Sequence, residues 1–101
     1  MVQLASRVPV SEIEAFCARW NVVEFSLFGS VLRDDFRPES DVDVMVRFAD
    51  GGRPRGFGFV DMKLELEEVF GRSVDLVEQG MIENPFRRHA IMRERTVLYA
   101  A

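Results

Sequence analysis

The sequence has little of what would indicate a secreted or membrane-bound protein. Its one cysteine, Cys17, cannot form an internal disulfide. The N-terminus has no signal-like segment, and together with the single cysteine this predicts a reducing, cytoplasmic location. No apolar run approaches the roughly 20 residues that a membrane-spanning helix needs. We therefore expect neither a disulfide framework nor a membrane as partner.

Positive charge is also in short supply. The chain has 13 lysines and arginines against 17 aspartates and glutamates, which gives a net charge of -4. Because phosphate backbones are bound by basic surfaces, we do not expect broad nucleic-acid binding. A nucleotide is not excluded, since its phosphates can be bound by a metal ion and by backbone amides.

What remains is an ordinary globular composition, with 48% apolar and 30% charged residues among 101. This length predicts a single domain over residues 1–101. Apolar periodicity and turn signals predict helices and strands in strict alternation, which indicates a small α/β (α+β) domain. The predicted helices cover residues 9–21, 30–35 and 60–70, a final helix opens at Asn84 and Pro85, and the strands cover 22–28, 42–48, 73–77 and 96–99.

The predicted core follows from which side chains share a face. On the first helix the apolar stripe comprises Ile13, Phe16, Cys17 and Trp20. Alternation along the first strand places Val23, Phe25 and Leu27 opposite Val22 and Phe28. Alternation along the second places Val42, Val44, Val46 and Phe48 opposite Asp41, Asp43, Met45 and Arg47. The third strand directs Val74 and Leu76 to the core and Asp75 to the other side.

Two features of the first half of the chain suit a nucleotide and its metal ion. Asp41 and Asp43 share one face of the second strand, and two such carboxylates are tolerated mainly when a cation lies between them. Gly29 and Ser30 end the first strand and open the short helix, where bare backbone N–H groups suit a phosphate.

Asp75 can complete the site if the third strand lies beside the second. It is an isolated acid in a short apolar strand, where an unpaired charge is costly. Three carboxylates around Mg²⁺ are typical of phosphoryl or nucleotidyl transfer, in which two ions can bind the attacking and leaving oxygens. Asp75 could also accept the proton of the incoming hydroxyl.

Simpler interpretations exist for each part. Asp-x-Asp is frequent in surface turns and calcium loops, Gly-Ser alone carries little information, and Asp75 could pair with an arginine such as Arg93. The argument therefore depends on the whole order of strand, Gly-Ser, short helix, turn, Asp-x-Asp and a later acid.

Gly29-Ser30, ten further residues and then Asp41-Val42-Asp43 resemble the signature of the DNA polymerase beta-type nucleotidyltransferases. The fuller string from Phe28 to Val46 is similar to the minimal nucleotidyltransferase (MNT) family, and the resemblance covers essentially the whole chain. It implies a mixed β-sheet with flanking helices, Mg²⁺ as two ions, and ATP as nucleotidyl donor. It also implies that Gly29 and Ser30 bind the triphosphate, that Arg33 lies near the phosphates as part of the nucleotide site or braces the loop, and that Asp41, Asp43 and Asp75 bind metal and carry catalysis. Asp34 stands where the family often has glycine.

The resemblance also implies a partner. Minimal members are typically antitoxins paired with a HEPN-domain ribonuclease toxin, in type VII-like systems, and transfer AMP to a tyrosine of that toxin. We expect the acceptor surface to come from such a partner, in a hetero- or homo-oligomer. Two alternatives stay open: an antitoxin that neutralises its toxin by binding alone, and a small-molecule (antibiotic) nucleotidyltransferase.

The final helix carries most of the remaining charge of interest. We expect its Phe86, Ala90 and Ile91 to face inward and its Arg87, Arg88 and Arg93 to face outward. With Arg95 these arginines form a basic patch, which is either a solvated helix end or a contact for an acidic partner or nucleotide. The only histidine, His89, is expected at the surface without a catalytic role.

Overall fold

A computed structural model describes residues 10–29 and 41–101. Within these ranges the chain forms three α-helices, four strands and one 3-10 turn (Gln79–Met81). The helices are α1 (Val10–Trp20), α2 (Gly58–Phe70) and α3 (Pro85–Glu94), and the strands are β1 (Val22–Phe28), β2 (Val42–Phe48), β3 (Val74–Glu78) and β4 (Thr96–Ala100). The predicted helix over 30–35 lies outside the described residues.

The four strands form one mixed sheet in the order β3-β2-β1-β4. β1 runs antiparallel to both β2 and β4, whereas β2 and β3 are parallel and joined through α2. The mixed sheet with flanking helices is therefore confirmed. Helices α1 and α2 cover the face of the sheet on which the inner strands β1 and β2 carry their buried apolar residues.

The main core lies between the sheet and helices α1 and α2. Its helix residues follow the predicted spacing: Ile13, Phe16 and Cys17 on α1, and Met62 and Leu66 on α2. Phe16 meets Phe25 of β1 edge to face, with ring centroids 5.9 Å apart. Each such side chain contributes about 1.5–3 kcal/mol on burial, so this face supplies most of the apolar stabilisation. In the part of the chain that the structure describes, none of the helices has both the length and the apolar character that a bilayer span requires.

The prediction for Val22 was wrong. Val22 is buried in the same core as Phe25 and Leu27, although alternation places it on the other face. The pairing of β1 with β2 shifts register between Val22 and Glu24, and a bulge of this kind turns the preceding side chain to the opposite side.

A second, smaller core covers the opposite face of the sheet. It joins Phe28 and Met45 of the strands to Ile82 and to Ile91 of α3, with Val77 and Met92 packed against it. The predicted cap of α3 is confirmed, because the Asn84 side chain accepts hydrogen bonds from the N–H groups of Phe86 (2.9 Å) and Arg87 (3.2 Å).

The predicted inward positions of Phe86 and Ala90 were wrong. Both side chains are exposed, Phe86 to 85%, and of the three predicted inward residues only Ile91 is buried. The reason is that α3 rests on the sheet through its C-terminal half. There Arg95 lies with its Nε 3.1 Å from Oε2 of Glu24 on β1, and its Nη1 donates to the carbonyl of Met92 (3.0 Å).

Cys17 is expected to be inert in the folded protein. Burial, and then the nearby Glu14 carboxylate, raise the pKa of its thiol to about 12 from an ordinary value of 9.0. Because the thiolate is the nucleophile, iodoacetamide at pH 9 should modify the folded chain at least about 100-fold more slowly than the chain in urea. The unfolded thiol ionises first, so raising the pH above 9 should also lower the free energy of unfolding. Equal alkylation rates in both states would contradict the buried position.

Candidate active site

Two predicted site residues lie side by side near the N-terminal ends of β2 and β3. Asp43 pairs in register with Asp75 on the neighbouring parallel strand. Such strands lie about 4.8 Å apart and paired side chains point to the same face, so the two carboxylates stand side by side. Asp43 is partly buried, whereas Asp75 and Asp41 are exposed. The predicted neighbouring position of the third strand is confirmed.

Two hydrogen bonds hold the N-terminal ends of β2 and β3, which carry these acids. The Val42 N–H donates to the carbonyl of Ser73 (2.9 Å), which aligns the start of β2 with the start of β3. The Val74 N–H donates to the Glu67 carboxylate of α2 (3.1 Å), and this bond, followed by Lys63, holds the pKa of Glu67 below its ordinary value. The backbone just before Asp75 is therefore hydrogen-bonded to β2 through Ser73 and to α2 through Val74.

Gly29 lies directly against Asp43. Phe28, the residue before it, pairs with Asp43 across β1 and β2. A Cβ placed on Gly29 would overlap Oδ2 of Asp43 and lie 3.1 Å from its Cγ, and the φ of Gly29 is +75°. Glycine is thus required here for close approach and for backbone conformation alike. The predicted phosphate-binding and metal-binding segments meet at this contact, although Ser30 and Arg33 lie outside the described residues and stay predictions.

The carboxylates at the N-terminal ends of β2 and β3 suit a Mg²⁺ ion that is also bound by phosphate oxygens of a substrate. No three acidic, histidine or cysteine side chains within residues 10–29 and 41–101 converge closely enough to enclose an ion by themselves. Mg²⁺ does not need such a cage, because it is usually held by one or two carboxylates together with water and substrate phosphates. Neighbouring carboxylates such as those of Asp43, which is partly buried, and Asp75, which is exposed, meet this requirement. The full set of Asp41, Asp43 and Asp75 as metal ligands remains a prediction.

The alternative interpretation of Asp75 as an ion-pair partner of Arg93 is not supported. Among the ion pairs of the described part of the chain, none joins these two residues. Arg93 and His89 are exposed on α3, as expected.

Glu24 is a partly buried charge on this face that sequence reasoning missed. Its side chain is only 15% exposed and lies between Arg95 (3.1 Å) and Arg47 (3.8 Å). Arg95 is therefore part of an internal ion pair and does not belong to the free basic patch in which we placed it. The sequence does indicate an unusual position for Glu24, because it is an acid within an apolar strand, as Asp75 is.

Comparison with known proteins gives a family. A family model described as a nucleotidyltransferase domain matches residues 12–98. Protein adenylyltransferase MntA from Thermococcus cleftensis is 32% identical over 76 residues, which are 75% of this chain and 74% of that protein. A solved structure of a candidate minimal nucleotidyltransferase has 33% sequence identity and a TM-score of 0.70, and covers 86% of each chain.

A more distant likeness agrees in fold. A complex of a tri-AMPylated Shewanella oneidensis HEPN toxin with its MNT antitoxin contains a chain with a TM-score of 0.66 and 18% identity, covering 100% of this chain and 74% of that one. At this identity the likeness shows a shared fold alone. With the family match over residues 12–98 and the MntA relative, however, the assignment is direct. The chain belongs to the nucleotidyltransferase domain family and is a homologue of the protein adenylyltransferases.

Proposed function

We propose that this chain is a Mg²⁺-dependent adenylyltransferase that moves AMP from ATP to a tyrosine hydroxyl of a HEPN-domain toxin and so acts as its antitoxin. The observation that carries the proposal is the in-register pair of Asp43 and Asp75 beside Gly29. It supports the proposal because carboxylate oxygens, which suit Mg²⁺, lie next to the Gly29 backbone, which we infer to bind phosphate.

The reaction exchanges one bond to the α-phosphorus for another. The acceptor oxygen forms a bond to that phosphorus, the bond to the bridging oxygen of the β-phosphate breaks, and pyrophosphate leaves. Asp75, the exposed acid at the strand edge, accepts the proton of the hydroxyl. Mg²⁺, when bound, neutralises charge on the triphosphate and on the leaving pyrophosphate.

The residues of this chain have separate tasks in that exchange. Asp41, Asp43 and Asp75 would hold the two ions. The backbone at Gly29 and the side chains of Ser30 and Arg33 would bind the phosphates and orient the α-phosphorus toward the acceptor. Because Asp43 contacts Gly29, movement of the phosphate-binding backbone would displace a metal ligand at once.

The relatives support the donor and the partner. The Thermococcus cleftensis relative is named a protein adenylyltransferase, and the Shewanella oneidensis complex contains a HEPN toxin that carries AMP. Both agree with a protein acceptor for this chain, and a small-molecule acceptor receives no support from either.

The test uses ATP labelled at different phosphates. A purified HEPN-domain toxin is incubated with the chain, Mg²⁺ and ATP carrying radiolabel on either the α- or the γ-phosphate. We expect the partner to gain label from the α-position alone, with the modified residue identified as tyrosine by tandem mass spectrometry. Transfer of γ-label would indicate phosphorylation, and absence of label from either position would contradict the proposal.

A binding-only antitoxin is the second candidate, because exposed Phe86, Arg87 and Arg88 on α3 offer a surface for protein contact that needs no metal. The two functions separate in cells that express the toxin. Asp41→Asn together with Asp43→Asn should abolish rescue of growth if transfer is required, whereas rescue by this variant would favour neutralisation by binding.

A further inference from the structure

The N-terminal half of α3 is an exposed surface that the proposed chemistry does not use. All residues from 83 to 90 are exposed, including Phe86 at 85%, and Met81 just before them is 59% exposed. Single exposed apolar side chains are common on protein surfaces. Here, however, they lie beside two grooves and several arginines.

The grooves flank this half of α3. One, of about 250 Å³, has Val77 and Ile82 in its apolar lining, with Met81 and Arg87 at its side. The other, of about 330 Å³, is lined on the helix side by Arg88 and Met92. Consecutive arginines of one helix thus border different grooves, with an apolar lining available to a side chain from outside.

The charges on this surface favour an acidic occupant. Arg87 and Arg88 are both exposed and stand next to each other on α3. Arg53 in the first groove is matched by Glu78, with Nε 2.6 Å from Oε1. Among the ion pairs of the described residues, none uses Arg87 or Arg88. Carboxylates of a partner can therefore pair with these two guanidinium groups without displacing an internal partner.

The surface lies within reach of the candidate active site. Val77, in the first groove, follows Asp75 by two residues on the same face of β3, a distance of about 7 Å along the strand. The helix is fixed relative to that strand because Ile91 is buried in the second core and Arg95 pairs with Glu24. A side chain presented at this groove can thus approach Asp75.

We propose that Met81, Phe86, Arg87 and Arg88, here named the α3 surface, dock an acidic segment of the acceptor protein and present its hydroxyl to Asp75. The proposal rests on the proposed function for the identity of the acceptor. Arginine and aromatic side chains dominate binding energy at protein interfaces, and complementary charge speeds association. The α3 surface supplies both kinds of side chain.

The test measures binding without catalysis. The probe is a fluorescein-labelled peptide of glutamate and tyrosine, with a lysine–tyrosine peptide of equal length for comparison, and fluorescence anisotropy at low salt gives the affinity. We expect the wild-type chain to bind the acidic peptide at least about tenfold more tightly. Phe86→Ser, and separately Arg87→Ser with Arg88→Ser, should each weaken that binding at least about fivefold.

Matched controls lie on the helices of the opposite face. Leu64 of α2 is 53% exposed, and Arg19 of α1 is an exposed arginine paired with Glu65, so Leu64→Ser and Arg19→Ser should change the affinity less than about twofold. Thermal unfolding confirms that each variant is folded. Equal affinity for both peptides, an equal loss in the control variants, or tighter binding of a single-stranded RNA oligonucleotide would overturn the docking proposal. A chain that binds the acidic peptide as expected but transfers no α-label would contradict the proposed function alone.

Discussion

Replacing Asp75 with asparagine is expected to lower the rate of AMP transfer at least about 100-fold and to leave the fold intact. The substitution keeps the size of the side chain but removes the charge that binds metal and accepts the proton. Asp75 is exposed, so its replacement should change the free energy of unfolding by no more than about 0.5 kcal/mol. Transfer from α-labelled ATP to the partner measures the rate, and urea denaturation measures the stability.

Asp50→Asn is the matched control for this variant. Asp50 is also an exposed aspartate, but it follows the opposite end of β2 from Asp43. We expect its replacement to leave transfer within about twofold of the wild type, since surface substitutions away from a site have small effects. Transfer at the wild-type rate by Asp75→Asn would remove Asp75 from the site.

Gly29→Ala is expected to lower the free energy of unfolding by about 2–5 kcal/mol and to reduce transfer strongly. A residue with a Cβ pays about 1–2 kcal/mol in the left-handed region that Gly29 occupies at φ +75°. Overpacking adds a further cost of about 1–3 kcal/mol, because the new methyl group would overlap Oδ2 of Asp43. Urea denaturation and the labelled-ATP assay measure the two effects.

Gly51→Ala separates these two causes. Gly51 has nearly the same φ, +74°, but a Cβ there would meet no atom within 4 Å. We expect its replacement to show the backbone cost alone, with normal transfer. Equal effects of the two substitutions on stability and transfer would mean that the contact between Gly29 and Asp43 has no role.

The part of the site that was predictable from sequence depends on alternation within strands. Asp43 lies opposite the valines that α1 and α2 cover, so burial of those valines fixes its direction. The same reasoning placed Asp75 on that face of β3, and the parallel register then paired the two acids. In both strands the alternation of apolar residues is compatible with only one assignment of side chains to the two faces of the sheet.

The parts that failed lacked such a pattern. Val22 lies at a bulge, where one inserted residue changes the face without any change in composition. Phe86 is apolar, but in its helix it is Ile91 and Met92 that pack against the second core, and no local signal in the sequence reveals which part of a helix will rest on a sheet. The pairing of Arg95 with Glu24 joins residues far apart in the chain, which spacing along the sequence cannot show.

The central claim is that Asp43, Asp75 and the backbone at Gly29 form one metal and nucleotide site. The most direct measurement is a crystal structure with Mn²⁺ and a non-hydrolysable ATP analogue, in which anomalous scattering locates the metal. We expect a Mn²⁺ peak bound by carboxylate oxygens of Asp43 and Asp75 and by phosphate oxygens, with the triphosphate against the Gly29 backbone. Mn²⁺ and nucleotide bound elsewhere, with neither acid as a ligand, would contradict the account.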